Sequence, residues 1–322
     1  MRFEKSDKRR YLAVLEGRIP DRVPLHETIF NRRYIRHATG LDAYDSIHVM
    51  PAVDYVRMCQ QVGLDMVTAG YFFRFEGFNT WEIVERQEFP SFTPFLNRVD
   101  ALLEAIKGSQ TGLMVYVHGP LDSTYLSMGY MGFFFATKDD PALVEAVMDR
   151  YTQHHLELIR ELVKRPIDLI QIADDVCMST GPFIRPGQFK AWWIPRVQKL
   201  LDPIIAAGIP YIFHSDGKID HFMDIIIDLG FMANNPIEPA CNDIAQVKKR
   251  YGDRITLMGN LDIGGVLASG TQEEVRVEVN QLLKVMMPGG RYIAMSSSSI
   301  SDAVIPENYD AMVEAVIESG KY

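Results

Sequence analysis

Cysteine is scarce in this chain: three occur in 322 residues, Cys59, Cys177 and Cys241. They lie far apart and form no C-x-x-C pair, which argues against a disulfide framework and fits the reduced thiols of a cytosolic protein. Long apolar runs are missing too, and none approaches the length needed to cross a bilayer. The N-terminal residues lead into an amphipathic stretch rather than an uninterrupted apolar one. No secretory signal is therefore expected, and the cytoplasm is the simplest location. Positive charge is in deficit, with 33 Lys and Arg against 42 Asp and Glu and a formal net charge of −9. That balance argues against a general binder of nucleic acid or anionic membrane, while leaving room for a local basic pocket. Glycine-rich phosphate loops, Walker motifs and a G-x-S-x-G elbow are absent. So are repeats, low-complexity tracts and any composition shift that would mark a domain boundary. One domain over residues 1–322 is expected.

What the chain does have is alternation. Apolar runs of strand length occur at Val23–Glu27, Leu64–Ala69, Leu113–His118, Ile167–Ala173, Ile209–His214, Phe231–Asn235, Ile255–Asn260 and Tyr292–Met295. Helical periodicity fills most of the gaps, after an N-terminal helix that Ser6 is placed to cap. Residues 139–164 set Leu143, Val147, Tyr151, Leu158 and Leu162 on one stripe. Further helices are predicted over 186–207, 220–229, 243–251, 271–287 and 306–319. Repeated strand–helix units with buried strands predict an α/β protein with a parallel sheet, and eight of them predict a (β/α)8 TIM barrel. Residues 71–96 break the pattern after the second strand. They carry Phe72, Phe73, Phe75, Phe78, Trp81, Phe89, Phe92 and Phe95, read as a hairpin or lid. A second aromatic cluster follows over 125–135. Local core packing is the plainer account of both, and an apolar wall around a planar or methyl-bearing ligand is the functional one.

The predicted strands end in polar residues. They are His26 and Glu27, His118, Asp174 and Asp175, His214 and Asp216, Asn235 with Glu238 beyond, Asn260 and Asp262, and Ser296 to Ser299. Barrel active sites lie at that carboxyl-terminal rim, so a ring of such ends predicts a site. The sharpest is Tyr211-Ile-Phe-His-Ser-Asp-Gly217, an apolar run stopping at a histidine and a carboxylate, which cost free energy to bury without partners. Of the adjacent pair Asp174 and Asp175, the period of a strand lets one face the axis, leaving the other to cap a helix or hold Arg185. His118 stands before Gly119-Pro120, where closing a turn is the alternative role. Asp262 is read as a loop cap, and His154 and His155 as structural. Cys177 and Cys241 fall just past strand ends, within reach of a metal. Zinc held by His214 and Asp216, with Glu238, Cys241 or an Asp174 or Asp175 carboxylate completing the set, would keep an open position for chemistry.

From Asp168 to its C-terminus the chain resembles the uroporphyrinogen decarboxylase superfamily of (β/α)8 barrels. The resemblance runs through Ala173-Asp-Asp175, Gly181-Pro-Phe-Ile-Arg-Pro186, His214-Ser-Asp-Gly217, Asn235-Pro-Ile-Glu-Pro239, Gly259-Asn-Leu-Asp262 and Pro306-Glu-Asn308. Gly17-Arg-Ile-Pro-Asp-Arg-Val-Pro24 is a looser match. The resemblance implies one of two chemistries. Decarboxylases of the acidic tetrapyrrole use an arginine-bearing segment after the first strand and a histidine near the last. Here those places hold Leu25-His-Glu-Thr-Ile-Phe-Asn-Arg-Arg33 and Met295-Ser-Ser-Ser-Ser-Ile300. The alternative is methyl transfer involving a corrinoid protein, whose thiol-using members bind zinc through H-x-C and a late cysteine. Asp216 stands in place of the first of those cysteines, and Ser297 or Ser298 in place of the second. A harder His and carboxylate set suits Lewis-acid activation of an oxygen-bearing methyl donor.

The expectation is thus a methyltransferase acting on a small donor, a methoxylated compound foremost, with a corrinoid protein as partner. A decarboxylase is the alternative, and a non-catalytic binding barrel a third reading. Catalytic roles are expected for His26, Glu27, Asp174, Asp175 and His214. Substrate contacts are expected for His118, Tyr125, Asn235, Asn260, Ser297 and Ser298, and metal ligation for His214, Asp216 and Glu238. Relatives are commonly homodimers.

Overall fold

The computed structural model describes residues 5–322 apart from 29 and 221. Its centre is a curled sheet of seven parallel strands: β1 (Met66–Tyr71), β2 (Gly112–His118), β3 (Leu169–Ala173), β6 (Tyr211–His214), β7 (Ala233–Asn235), β8 (Thr256–Leu261) and β9 (Tyr292–Ser296), neighbours in that order. Two short strands, β4 (Cys177–Met178) and β5 (Gly181–Pro182), form an antiparallel hairpin beyond β3 that periodicity cannot reveal. Helices join the main strands, and both faces of the sheet are covered, which is why the strands read as continuous apolar runs.

The inner face holds Met66, Met114, Leu169, Ile212, Ala233, Met258 and Ile293 as one apolar cluster, closed from below by Tyr11, Val14 and Leu15 of helix Lys8–Leu15. Asp7, and not Ser6, caps that helix by accepting from Arg9 N. Burying Asp65 ties this entrance to the sheet: its carboxylate accepts from Asp7 N and Leu25 N and pairs with Arg10 and Arg22. No helix among the described residues is long and apolar enough to cross a membrane.

The expected first strand, residues 23–27, forms only an isolated parallel bridge, Leu25 to Ala294. His26 N donates to Ala294 O and Ala294 N donates to Pro24 O, while Asp65 N donates to Leu25 O. Pro24 has no N–H to extend a ladder, so the segment links β9 to β1 without becoming a regular strand. The aromatic insertion contains no hairpin. It holds helix Trp81–Arg86 and leads into helix Thr93–Ile106, with Phe73, Phe89 and Phe92 packed around the His154 ring. The predicted helix over 186–207 is interrupted by a π-turn at Phe189–Trp193 before Ile194–Ala206. Pro195, at the junction, lacks the N–H that a regular helix would use there.

Candidate functional site

Strand register sets the site. Ala173 pairs with His118 on one side and His214 on the other, and His214 pairs with Asn235. These residues therefore share one level at the carboxyl ends of the strands. A cavity of about 200 Å³ opens there, lined by Phe72, Tyr116, His118, Asp122, Gln171, Asp175, His214, Asp216 and Ser298 among others. None of its described lining residues is a lysine or arginine.

The His214 ring is oriented by a relay. Asn235 Nδ2 donates to Gln171 Oε1 at 2.9 Å, so its Oδ1 is the acceptor for His214 Nδ1 at 2.6 Å. Donation from Nδ1 leaves Nε2 as the lone-pair nitrogen of the neutral ring, facing Asp175 Oδ1 at 3.7 Å and Asp216 Oδ1 at 3.9 Å. Burial pulls the His214 pKa down, but Asp216, Asp175 and the Asn235 hydrogen bond outweigh it and leave it raised. Asp216 is raised as well, by burial first, with His214 opposing. Its Oδ1 is buried without a hydrogen-bond partner. One ligand atom from each of Asp175, His214 and Asp216 lies within 4.8 Å of the others.

The turn after His214 explains its composition. Ser215 Oγ accepts from Val176 N and donates to Asp216 O. Asp216 N donates to Asp175 Oδ1 at 2.8 Å. Gly217 has φ 88° and a Cβ there would lie 2.5 Å from Cys177 O, so only glycine lets the turn sit against the β4–β5 hairpin. Glu238 accepts from Gly217 N at 2.9 Å. It holds the turn, and of the carboxylates offered as a third ligand it is Asp175 that stands with His214 and Asp216 in the cluster.

Across the cavity, His118 Nδ1 bonds Asp122 Oδ2 at 2.5 Å. Asp174 is fully buried and accepts from Leu121 N, Asp122 N and Trp193 Nε1. It caps helix Pro120–Met128, so Gly119-Pro120 opens a helix rather than closing a turn. Gly119 is required for that approach, because a Cβ would meet the Asp174 carboxyl at 2.2 Å. Burial, then Asp122, drives the Asp174 pKa well up.

The other residues singled out by pattern are dispersed. His26 is buried against Tyr11 with both ring nitrogens unpartnered, and burial pushes its pKa down to about 3. Glu27 is fully buried, accepts from Thr28 N and Ser296 N, and does not line the cavity. Tyr125 donates to Asp175 O from behind. Asn260 donates to Ile237 O, and Ser297 accepts from Ile263 N, both away from the cavity. Asp262 accepts from Gly264 N as the expected loop cap. Cys177 is buried, with its thiol pushed up to about 12, and neither it nor Cys241 joins the carboxylate cluster. Asp122 was missed in the sequence. Its signal is the i, i+4 spacing from His118, which carries meaning only once a helix is known to begin at Pro120.

Comparison with known proteins gives this arrangement its context. The chain is 27% identical over 227 residues to the methylcobamide:CoM methyltransferase MtaA of Methanosarcina barkeri, covering 68% of this chain and 63% of that protein. It is 23% identical over 183 residues to the uroporphyrinogen decarboxylase of Methylococcus capsulatus, covering 56% and 50%. These matches thus span less than two thirds of the curated relatives. A solved methyltransferase from Methanosarcina mazei superposes with a TM-score of 0.75 at 19% identity, covering 98% of this chain and 99% of that one. It shares the fold. Residues 56–319 match the family model described as uroporphyrinogen decarboxylase (URO-D), and the chain belongs to that family.

Proposed function

We propose that this protein is a methyltransferase that moves a methyl group from a small, oxygen-bearing donor, such as a methoxylated compound, to a corrinoid carried by a partner protein. We read its sheet as closed through residues 23–27 into a (β/α)8 barrel, with the reaction at the carboxyl-terminal rim. The observation that carries this reading is the Asp175, His214 and Asp216 cluster in a cavity of about 200 Å³ whose described lining holds no lysine or arginine. A tetrapyrrole with several carboxylates needs arginine forks placed in advance. A small neutral donor does not.

The three residues would hold a divalent ion such as zinc. The fit rests on the buried, unpartnered Asp216 Oδ1, on the His214 lone pair directed by Asn235, and on the mutual distances within 4.8 Å. When bound, such an ion supplies Lewis-acid polarisation of the donor oxygen. The chain's own residues supply the rest. Phe72 and Tyr116, packed edge to face with centroids 4.9 Å apart, form an aromatic wall for the donor. Gln171 and Asn235 hold the His214 tautomer.

The relatives named as methyltransferases support the reaction class, and the carboxylate in place of a cysteine supports an oxygen donor over a thiol. The test is metal analysis of purified protein together with methyl transfer from methyl ethers to reduced cobalamin. We expect about one zinc per chain, and loss of both metal and transfer in His214→Ala. Protein that binds no metal and whose transfer survives His214→Ala would refute the reading.

A further inference from the structure

We propose that His118 is the proton donor to the leaving oxygen of the methyl donor, with Asp122 as its positioning residue. This rests on the methyl-transfer reading. Cleaving an unactivated ether leaves an alkoxide or phenoxide, which departs faster if protonated in the transition state.

The geometry supplies a proton carrier in the right place. His118 and His214 occupy the two strands that flank β3, and both are in register with Ala173. Strand spacing puts their backbones roughly 10 Å apart, across two strand intervals of about 4.8 Å. That leaves room for one small molecule between the rings. His118 Nε2 is buried, has no hydrogen-bond partner, and belongs to a side chain that lines the cavity. The other nitrogen is fixed by Asp122, whose Oδ1 accepts from Ser123 Oγ and whose backbone N–H is held by Asp174. Phe72 covers the ring at 5.3 Å between centroids. Nδ1 is therefore fixed on Asp122, and Nε2 is the nitrogen left without a partner on a ring that lines the cavity.

An ordinary core histidine does not look like this. His26 and His155 are buried with no partner at either nitrogen, and burial lowers both. For His118 burial also pulls down, but Asp122 and then Asp174 and Asp175 more than reverse it, so the ring is held toward its protonated form.

The O–CH3 bond breaks with its electron pair remaining on oxygen. The methyl carbon accepts an electron pair from the reduced corrinoid of the partner protein. The oxygen takes the proton from Nε2, giving an alcohol or phenol and a neutral imidazole paired with Asp122, and solvent at the cavity mouth restores the proton.

A series of methyl aryl ethers with leaving phenols of decreasing basicity tests the assignment. His118→Leu is expected to lower kcat about a hundredfold or more on unactivated ethers, with KM nearly unchanged. The loss shrinks toward nitro-substituted ethers, whose phenolates leave without a proton. Zinc content stays at the wild-type level. Asp122→Asn shows the same trend with a smaller loss. By calorimetry, the product phenol binds His118→Leu several-fold more weakly, because its O–H loses Nε2 as acceptor. A loss uniform across the ethers, or no loss, with product affinity unchanged, overturns the role of His118 and leaves methyl transfer standing. Wild-type protein inactive on every ether removes the methyl-transfer reading, and this role falls with it.

Discussion

His214 makes a single hydrogen bond with its inner nitrogen, and that bond decides what the outer nitrogen can do. Because Asn235 spends its amide N–H on Gln171, its carbonyl oxygen is left for His214 Nδ1. A metal-ligating imidazole is commonly set in this way, and losing the orienting partner typically costs 10–100-fold in affinity. Asn235→Ala is therefore expected to weaken zinc binding by about that factor, measured by competition with a chromophoric chelator, while His214 itself is untouched. An unchanged affinity would mean that the relay does not orient the ring. At this scale the sequence was legible to a point. His214 and Asp216 stand out because a polar pair ends an apolar run. The choice between Asp174 and Asp175 was not legible, because β3 ends at Ala173 and strand alternation no longer governs the residues beyond it. Only the fold turns Asp174 to the helix and Asp175 to the cavity.

Elements explain why Glu27, next to the rim in sequence, lies outside the cavity. The segment 23–27 runs between β9 and β1, and Glu27 lies against Ser296 and close to Tyr309 of helix Pro306–Ser319. Burial raises its pKa from 4.5 to about 8. The folded protein thus keeps a proton there that the unfolded chain releases, so the contribution is complete at acid pH. It declines as pH climbs from 4.5 toward 8, by at most about 1.4 kcal/mol per pH unit. Glu27→Gln removes that decline. Its melting temperature is expected to match wild type near pH 5 and to exceed it at pH 8, by scanning calorimetry at both. Equal melting temperatures at both would show that Glu27 is ionised in the fold. Pattern reading located all seven regular parallel strands to within a few residues, because buried strands are continuous apolar runs. It offered a hairpin or lid over 71–96 where a short helix forms, because a cluster of phenylalanines carries no period that separates the two, while the plainer account of core packing holds for Phe73, Phe89 and Phe92 around His154.

For the whole molecule, the candidate site and the sheet are one structure, since the site's residues are strand ends and the turns that follow them. Ligation by Asp175, His214 and Asp216 would bridge the ends of β3 and β6. An ion that binds the folded state alone stabilises it by about 2.7 kcal/mol at a concentration 100 times its Kd. Unfolding entropy near 2.1 cal/mol/K per residue gives a chain of 322 residues on the order of 0.7 kcal/mol/K. Zinc at that concentration should then raise the melting temperature by about 4 °C if the chain unfolds as one unit. His214→Ala should lose the shift, while Cys177→Ala and Cys241→Ala, which alter residues outside the cluster, should keep it. Loss of the shift on replacing either cysteine would return a thiolate to the ligand set. A zinc shift of wild-type size in His214→Ala would place the ion elsewhere on the molecule.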